Sequence, residues 1–142
     1  MEKIHVPLNE DWHNFSVETL WGEKINKDVY KIASIPFFAK GISFDDLIKV
    51  KLDQDKKLFY DKHISKGDYC TYRFLFDDND PDATSRRKYL DLLSSYGDME
   101  YYDESDLYAL SVPKKKVHEL YKILNQLEKD EILDFEEGDC IL

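Results

Sequence analysis

The sequence has little glycine, few cysteines and no long apolar run. Only five glycines are present, which leaves little material for the glycine-rich loops that hold nucleotide phosphates. The patterns of serine hydrolases (G-x-S-x-G), zinc proteases (H-E-x-x-H) and redox dithiols (C-x-x-C) are missing, and the four histidines are scattered. We therefore predict a protein that is not an enzyme, with no catalytic residues, no cofactor and no metal site.

The cysteines and the hydropathy of the sequence indicate where in the cell the protein is expected. Cys70 and Cys140 lie far apart without metal-ligand spacing, so we expect two reduced thiols in a cytoplasmic protein. Residues 1–7 contain no apolar run of the kind found in signal peptides. The most apolar window, residues 35–39, is far too short to span a bilayer, so no membrane association is expected.

The negative charge is confined to one half of the chain. Residues 1–67 contain 11 Asp/Glu and 11 Lys, whereas residues 68–142 contain 19 Asp/Glu and 9 Lys/Arg, which accounts for the whole net charge of -10. An acidic half repels nucleic-acid phosphates. It suits a basic protein partner, so we predict no nucleic-acid binding.

Short strands are predicted in the first half. Apolar or alternating segments at 15–21, 29–32, 48–52 and 58–60 are separated by turn residues. Four or five strands at this spacing favour a small β-barrel-like domain over residues 1–67. Residues 65–68 mark its boundary.

The second half, residues 68–142, mixes both periodicities. Strands are predicted at about 70–76, 99–103, 107–112 and 132–136, and helices at about 83–96 and 114–129. This order is that of a ferredoxin-like βαββαβ arrangement. The predicted fold class is therefore α+β, a small N-terminal β-barrel-like half followed by a ferredoxin-like half, with both packed as one rigid unit.

Two adjacent aromatic residues are predicted to join these halves. Pro36 and Gly41 restrict the backbone around Phe37 and Phe38. We expect one ring to plug the barrel and the other to pack on the second half.

Ten carboxylates are predicted to form the partner-binding surface. A βαββαβ sheet with spatial order 4-1-3-2 brings three connections to the same end, with Lys129 the only nearby opposing charge. The predicted binding residues are Asp77, Asp78, Asp80, Asp82, Asp103, Glu104, Asp106, Glu128, Asp130 and Glu131. The acidic run at 77–82 does not fit an EF-hand, because its frame puts Ala83 where glycine is needed and Tyr89 where glutamate is needed.

Several segments resemble one bacterial family of unknown function. They are Leu20-Trp21, Tyr30, Ile35-Pro36-Phe37-Phe38-Ala39, Gly41-Ile42-Ser43, Asp46, Thr71-Tyr72-Arg73 and Leu107-Tyr108-Ala109-Leu110-Ser111-Val112-Pro113. The family pattern they resemble is LW, Y-x-I-x-x-IPFFA-x-G-x-S-x-x-D, TYR and LYAL-x-VP, over about Phe15 to Gly138. Gly22 departs from the alanine common after LW. The resemblance implies a small bacterial protein, in some cases encoded beside a toxin gene, and it supplies no active-site residues.

These observations lead to three functional hypotheses, and the third is an enzyme of unrecognised type, which would need a cleft holding ionisable groups with shifted pKa values. The first is a non-catalytic immunity protein that binds and neutralises a basic protein toxin, such as a nuclease delivered by contact-dependent growth inhibition. An acidic surface would then enter the basic active-site groove of the cognate toxin. The alternative is a small-molecule-sensing or regulatory binding module, which requires a concave pocket with convergent polar groups.

Overall fold

The structure, a computed structural model, describes residues 1–8, 16–77 and 83–140. These residues form nine β-strands and two α-helices. The strands are β1 (Glu2–Pro7), β2 (Val17–Lys24), β3 (Val29–Ile32), β4 (Leu47–Leu52), β5 (Leu58–Ser65), β6 (Tyr69–Phe76), β7 (Asp98–Tyr102), β8 (Leu107–Pro113) and β9 (Leu133–Asp139). The helices are α1 (Ala83–Ser94) and α2 (Val117–Lys129), and short 3-10 helices cover Asp103–Ser105 and Lys114–Lys116.

Strands β1 to β5 form a closed barrel, in agreement with the barrel predicted for the first half. Its neighbours are antiparallel except β1 and β5, whose parallel pairing closes the ring. Alternate residues of each strand point inward. The buried barrel core consists of Ile4, Val6, Leu20, Tyr30, Ile32, Ala39, Ile42, Ile48 and Val50.

The remaining strands form an antiparallel sheet with the order β7-β8-β6-β9. Tyr72 and Phe74 of β6 pack in one buried cluster with Leu93 of α1 and Leu120 of α2, so both helices lie on the same face. The neighbouring β6 residue Arg73 bonds instead to the segment that joins β3 to β4. The sheet is therefore covered by helices on one face and by the barrel on the other.

The sequence of helix α2 shows why it forms and which of its faces is buried. Its buried residues are Val117, Leu120, Leu124 and Leu127, a three- and four-residue spacing that places them on one helix face. Within the part of the chain that the structure describes, no helix is both long and apolar enough to cross a membrane.

The predicted segments of the second half are confirmed, since each helix and strand lies within three residues of its predicted bounds. The predicted fold class is wrong. The chain is mostly β, with 47% strand and 23% helix, and its strands form two sheets that are antiparallel except at the β1–β5 closure of the barrel. A ferredoxin-like βαββαβ half is not seen. The class was inferred from segment order. In the structure the barrel covers the sheet face opposite the two short helices, so strands dominate the packing.

The segment between the two sheets, at residues 65–68, is held on both sides. The backbone N–H of Gly67 donates to Asp46 Oδ1 over 2.8 Å, and the N–H of Lys114 donates to the carbonyl of Asp68 over 3.0 Å. These bonds fix the segment against both halves. The division into domains at this point stays a prediction.

The predicted pair of reduced thiols is wrong, because Cys70 and Cys140 form a disulfide. They are 70 residues apart in sequence, yet their Cα atoms are 4.7 Å apart. The reason is the sheet register. Thr71 of β6 pairs with Asp139 of β9. Because the strands are antiparallel, Cys70, which precedes Thr71, lies beside Cys140, which follows Asp139.

Reduction of this disulfide should lower stability. A cross-link that closes a loop of this length restricts the unfolded chain and typically contributes about 2–4 kcal/mol. We expect dithiothreitol to lower the free energy of unfolding in urea by that amount. The Cys140→Ala variant is the control, because it should unfold identically with and without reductant. A wild-type curve that reductant leaves unchanged would contradict the bond.

Candidate functional site

The loop over residues 33–46, called here the clamp loop, joins β3 to β4 and lies between barrel and sheet. Its two ends meet. The N–H of Ile32 donates to the carbonyl of Asp46 over 2.9 Å, and the N–H of Asp45 donates to the carbonyl of Ile32 over 2.8 Å. The loop thus leaves and re-enters the barrel at one place. Its middle is free to reach the sheet.

Glu18 of β2 holds the clamp loop through its backbone N–H groups. The carboxylate accepts hydrogen bonds from the N–H of Phe37 over 2.7 Å, Phe38 over 3.1 Å and Ala39 over 2.8 Å. Glu18 is only 9% exposed. A buried carboxylate needs such donors, and buried N–H groups need acceptors, so each satisfies the other.

Arg73 of β6 holds the same loop through its carbonyl groups. The guanidinium donates to the carbonyls of Ala39 over 2.7 Å and Pro36 over 3.4 Å, and Nε lies 3.2 Å from a Glu136 carboxylate oxygen. Gly138 makes room for it, because a Cβ there would lie 2.4 Å from the guanidinium. The sheet thereby anchors a loop of the barrel.

The adjacent aromatic residues of the clamp loop do not divide as predicted. Both Phe37 and Phe38 place their ring centroids 5.5 Å from that of Tyr102 on β7. Phe38 is 3% exposed, but it is Ala39 that joins the barrel core. Phe38 also lies beside the barrel residues Val6 and Ile42, so this ring contacts both halves and the predicted division of one ring to each half is wrong.

A second buried contact between the halves centres on Asp46. Its carboxylate accepts from the N–H of Ser43 over 2.9 Å and of Gly67 over 2.8 Å, and lies 2.9 Å from both Lys66 Nζ and His63 Nε2. Asp46 is fully buried. The charge is thus met by two backbone donors and by the two side chains.

This network reaches the sheet through Ser43. Its hydroxyl lies 2.6 Å from Thr71 Oγ1 and donates to Asp139 Oδ2 over 2.8 Å, and Lys66 also contacts Asp139. Ser43, Asp46 and His63 have the composition of a catalytic triad. Among the described residues, however, no hydrogen bond joins the Ser43 hydroxyl to the His63 ring, which a nucleophile and its base require.

One row of polar side chains crosses all four strands on the barrel-facing side of the sheet. Asp98 of β7 pairs with Ser111 of β8, Ser111 with Thr71 of β6, and Thr71 with Asp139 of β9. Residues paired directly across strands point to the same face. A polar row therefore runs from the β7 edge to the network around Ser43.

An open cleft lies over the β7 end of this row. It separates β2 and the clamp loop from β7 and β8 and has a volume of about 570 Å³, within the range of small-molecule sites. Its lining residues are Glu18, Thr19, Leu20, Trp21, Ala33, Ser34, Ile35, Phe37, Phe44, Asp98, Met99, Glu100 and Ser111. Ser111 is 2% exposed, and its Oγ has no hydrogen-bond partner among the described residues.

The predicted acidic residues lie elsewhere, at one end of the sheet. Phe76 pairs with Leu133, so β6 ends where β9 begins. Tyr102 pairs with Leu107, so the β7–β8 hairpin turns at the same end. The described carboxylates of this region, called here the acidic pole, are Asp77, Asp103, Glu104, Asp106, Glu128, Asp130 and Glu131. Asp78, Asp80 and Asp82 lie outside the described residues.

The prediction that Lys129 is the only cation near the acidic pole is wrong. Arg86 of α1 lies 3.3 Å from Asp106 Oδ2. Asp106 also accepts from the Tyr101 hydroxyl over 2.8 Å, and this bond, together with burial, raises the pKa of Tyr101 to about 12. Asp103 and Glu104 remain exposed, so the hairpin turn presents negative charge to solvent.

Sequence reasoning missed the residues that matter most to the cleft and to the clamp loop. Glu18 and Ser111 carried no local signal, since their partners are distant in sequence. Arg73 did carry one. It is flanked by Tyr72 and Phe74 in a strand whose alternate residues are all apolar, and such a strand buries whatever lies between them when both faces are covered.

Comparison with known proteins identifies relatives but no activity. Residues 18–135 match the family DUF4265, described as a domain of unknown function. A solved structure, described as a hypothetical protein from Neisseria gonorrhoeae, superimposes with a TM-score of 0.81 at 25% sequence identity, covering 97% of this chain and 94% of that one. No curated protein matches.

Removal of the Glu18 charge should release the clamp loop. In Glu18→Gln, an amide NH₂ would face backbone N–H groups, and at least one charged hydrogen bond would be lost. We expect the free energy of unfolding to fall by about 2–3 kcal/mol. Glu23→Gln, an exposed residue on the same strand, is the matched control and should change it by less than about 0.5 kcal/mol. Equal urea unfolding curves for the two variants would show that Glu18 does not hold the loop.

Proposed function

Because the chain belongs to the DUF4265 family, a domain of unknown function, we propose its function from its own geometry: it is a non-catalytic protein that binds and inhibits a basic protein partner. The partner we propose is a toxin, such as a nuclease of a contact-dependent growth inhibition system. The chain would be its immunity protein. The observation that carries the proposal is the gathering of carboxylates at the acidic pole.

Folding alone gives little reason for this arrangement. Like charges at one end of a sheet repel each other and oppose compaction. Part of the charge is met internally. Arg86 pairs with Asp106, and Glu104, Glu128 and Asp130 accept hydrogen bonds from Tyr102, from the N–H of Phe135 and from Gln126. A basic partner would offset the remaining repulsion.

The chemistry of the partner follows from the charge. A nuclease groove is lined with Lys and Arg, which bind phosphates. A rigid set of carboxylates can occupy the same positions and block the groove. Complementary charge would also steer the encounter and speed association.

The proposed location is the cytoplasm, where such a toxin would act. Disulfides are uncommon in that compartment, so an immunity protein that acts there must also bind when the Cys70–Cys140 disulfide is opened. The clamp loop contacts of Glu18 and Arg73 do not depend on the disulfide chemically. We therefore expect the reduced protein to remain folded and able to bind.

A second candidate function, a small-molecule-sensing or regulatory module, is favoured by a separate observation. The cleft combines a volume of about 570 Å³ with the buried, unpartnered hydroxyl of Ser111. Convergent polar groups in a concave site are typical of ligand pockets. The cleft and the acidic pole are different surfaces and can be tested apart.

Charge reversal at the acidic pole tests the first proposal. The variant Asp103→Lys, Glu104→Lys, Glu131→Lys changes exposed residues and should slow association with the C-terminal domain of a toxin encoded by the adjacent reading frame. We expect a fall of roughly 10-fold or more at low salt and a weaker dependence of the rate on ionic strength, because the steering field is reduced.

The control is a second triple variant with the same change in net charge, Glu23→Lys, Asp55→Lys, Asp61→Lys. These residues are exposed on or beside barrel strands, so association should slow far less. Stopped-flow kinetics over a range of salt concentrations measures both. Equal rates for the two variants, or a partner that contacts only residues 1–67, would refute the role of the acidic pole.

A further inference from the structure

The hydroxyl of Ser111 is the starting point, because it is a buried polar group without a partner. Ser111 is 2% exposed and lines the cleft, and its Oγ has no hydrogen bond within the described residues. A hydroxyl can both donate and accept. Burying one without a bond is unfavourable, so the position suits a ligand that supplies the missing partner.

The charge around the hydroxyl indicates the sign of that ligand. Among the described residues that line the cleft there are three carboxylates, Glu18, Asp98 and Glu100, and no basic side chain. Glu18 is engaged by the clamp loop. Asp98 and Glu100 are exposed on β7, and Asp98 is paired directly with Ser111. Side chains paired in this way lie about 5 Å apart, so one N–H-bearing group can contact both.

The opposite wall of the cleft is aromatic. Trp21 is 46% exposed, and Phe37 and Phe44 are half-buried beside it. Lys3 Nζ lies 5.6 Å from the Trp21 ring centroid, so an apolar group rather than a second cation would pack on this ring. An apolar or flat ligand body would fit between this wall and β7.

From these three observations we propose that the cleft binds a small organic cation, in which an ammonium or guanidinium group meets Asp98 and the Ser111 hydroxyl while an apolar body packs on Trp21 and Phe37. The proposal rests on the second candidate function and is independent of the acidic pole. It names the class of ligand that a sensing module of this kind would take.

The test uses three probes that share one ring system and differ in charge, and a fourth without a ring. Tryptamine, tryptophol and indole-3-acetate contain the indole ring and are cationic, neutral and anionic, and agmatine carries a guanidinium and an ammonium group. Each is titrated into ¹⁵N-labelled full-length protein, and the backbone amide shifts of Asp98, Glu100 and Ser111 are followed. We expect tryptamine to shift these amides with an affinity roughly 10-fold above that of tryptophol, and indole-3-acetate to leave them unchanged.

Two variants assign the contacts. Ser111→Ala removes only the hydroxyl, and Asp98→Asn removes only the charge, and each should weaken tryptamine binding roughly 5- to 10-fold. Asp61→Asn is the matched control, because Asp61 is an exposed carboxylate on β5 outside the cleft, and it should bind as wild type does. Well-dispersed spectra of each variant confirm that it is folded.

The possible results test the preference for a cation separately from the small-molecule-binding function. If tryptophol or indole-3-acetate shifts the cleft amides as strongly as tryptamine, ligand binding stands and the preference for a cation is refuted. If none of the four probes shifts them at roughly 10 mM, ten times above a millimolar dissociation constant, the inference and the second candidate function both fail. Unchanged binding in Ser111→Ala and Asp98→Asn would overturn the proposed contacts.

Discussion

The structure depends on how the backbone of the clamp loop is satisfied. This loop of the barrel is buried against a sheet that belongs to the other half, so the polar groups of residues 36–39 cannot reach water. Glu18 accepts the N–H groups and Arg73 donates to the carbonyls. Since a buried backbone group without a partner is costly, neither residue can be lost without exposing or straining the loop. One side chain comes from each half, and the contact therefore joins barrel to sheet by charge-assisted hydrogen bonds as well as by apolar packing.

This explains why the segments that resemble the bacterial family say little about function. Residues 35–39 are held by Glu18 and Arg73, and Leu110 and Val112 lie in the core beneath α2. Asp46 fixes the linker at residues 65–68, and Ser43 contacts the sheet. Each has a structural task. A recognition surface must then be sought among residues that the fold leaves without one. The acidic pole and the cleft meet this condition, the first by charge that is only partly compensated and the second by the hydroxyl of Ser111.

Local pattern was enough to find most elements and too little to assign the class. Apolar spacing located α2 and β8 because their own residues carry the period. Strand β1 was missed, since Glu2–Pro7 has only Ile4 and Val6 as inward apolar residues, and its parallel pairing with β5 depends on a segment more than 50 residues away. The disulfide was missed for the same reason. It follows from β6 lying beside β9, and no short window of sequence contains that information.

The position of the cleft on β7 decides how much weight its carboxylates carry. Among the described strands, β7 is an edge of its sheet and pairs only with β8, and charged residues on an edge strand hinder unwanted pairing with other chains. Asp98 and Glu100 in the cleft can each be explained in that way. Ser111 cannot, because it lies on the interior strand β8, is buried, and contributes nothing to protection of the edge. For the cleft, therefore, the unpartnered hydroxyl is the stronger sign of a ligand, and the surrounding negative charge indicates only which ligands it would accept.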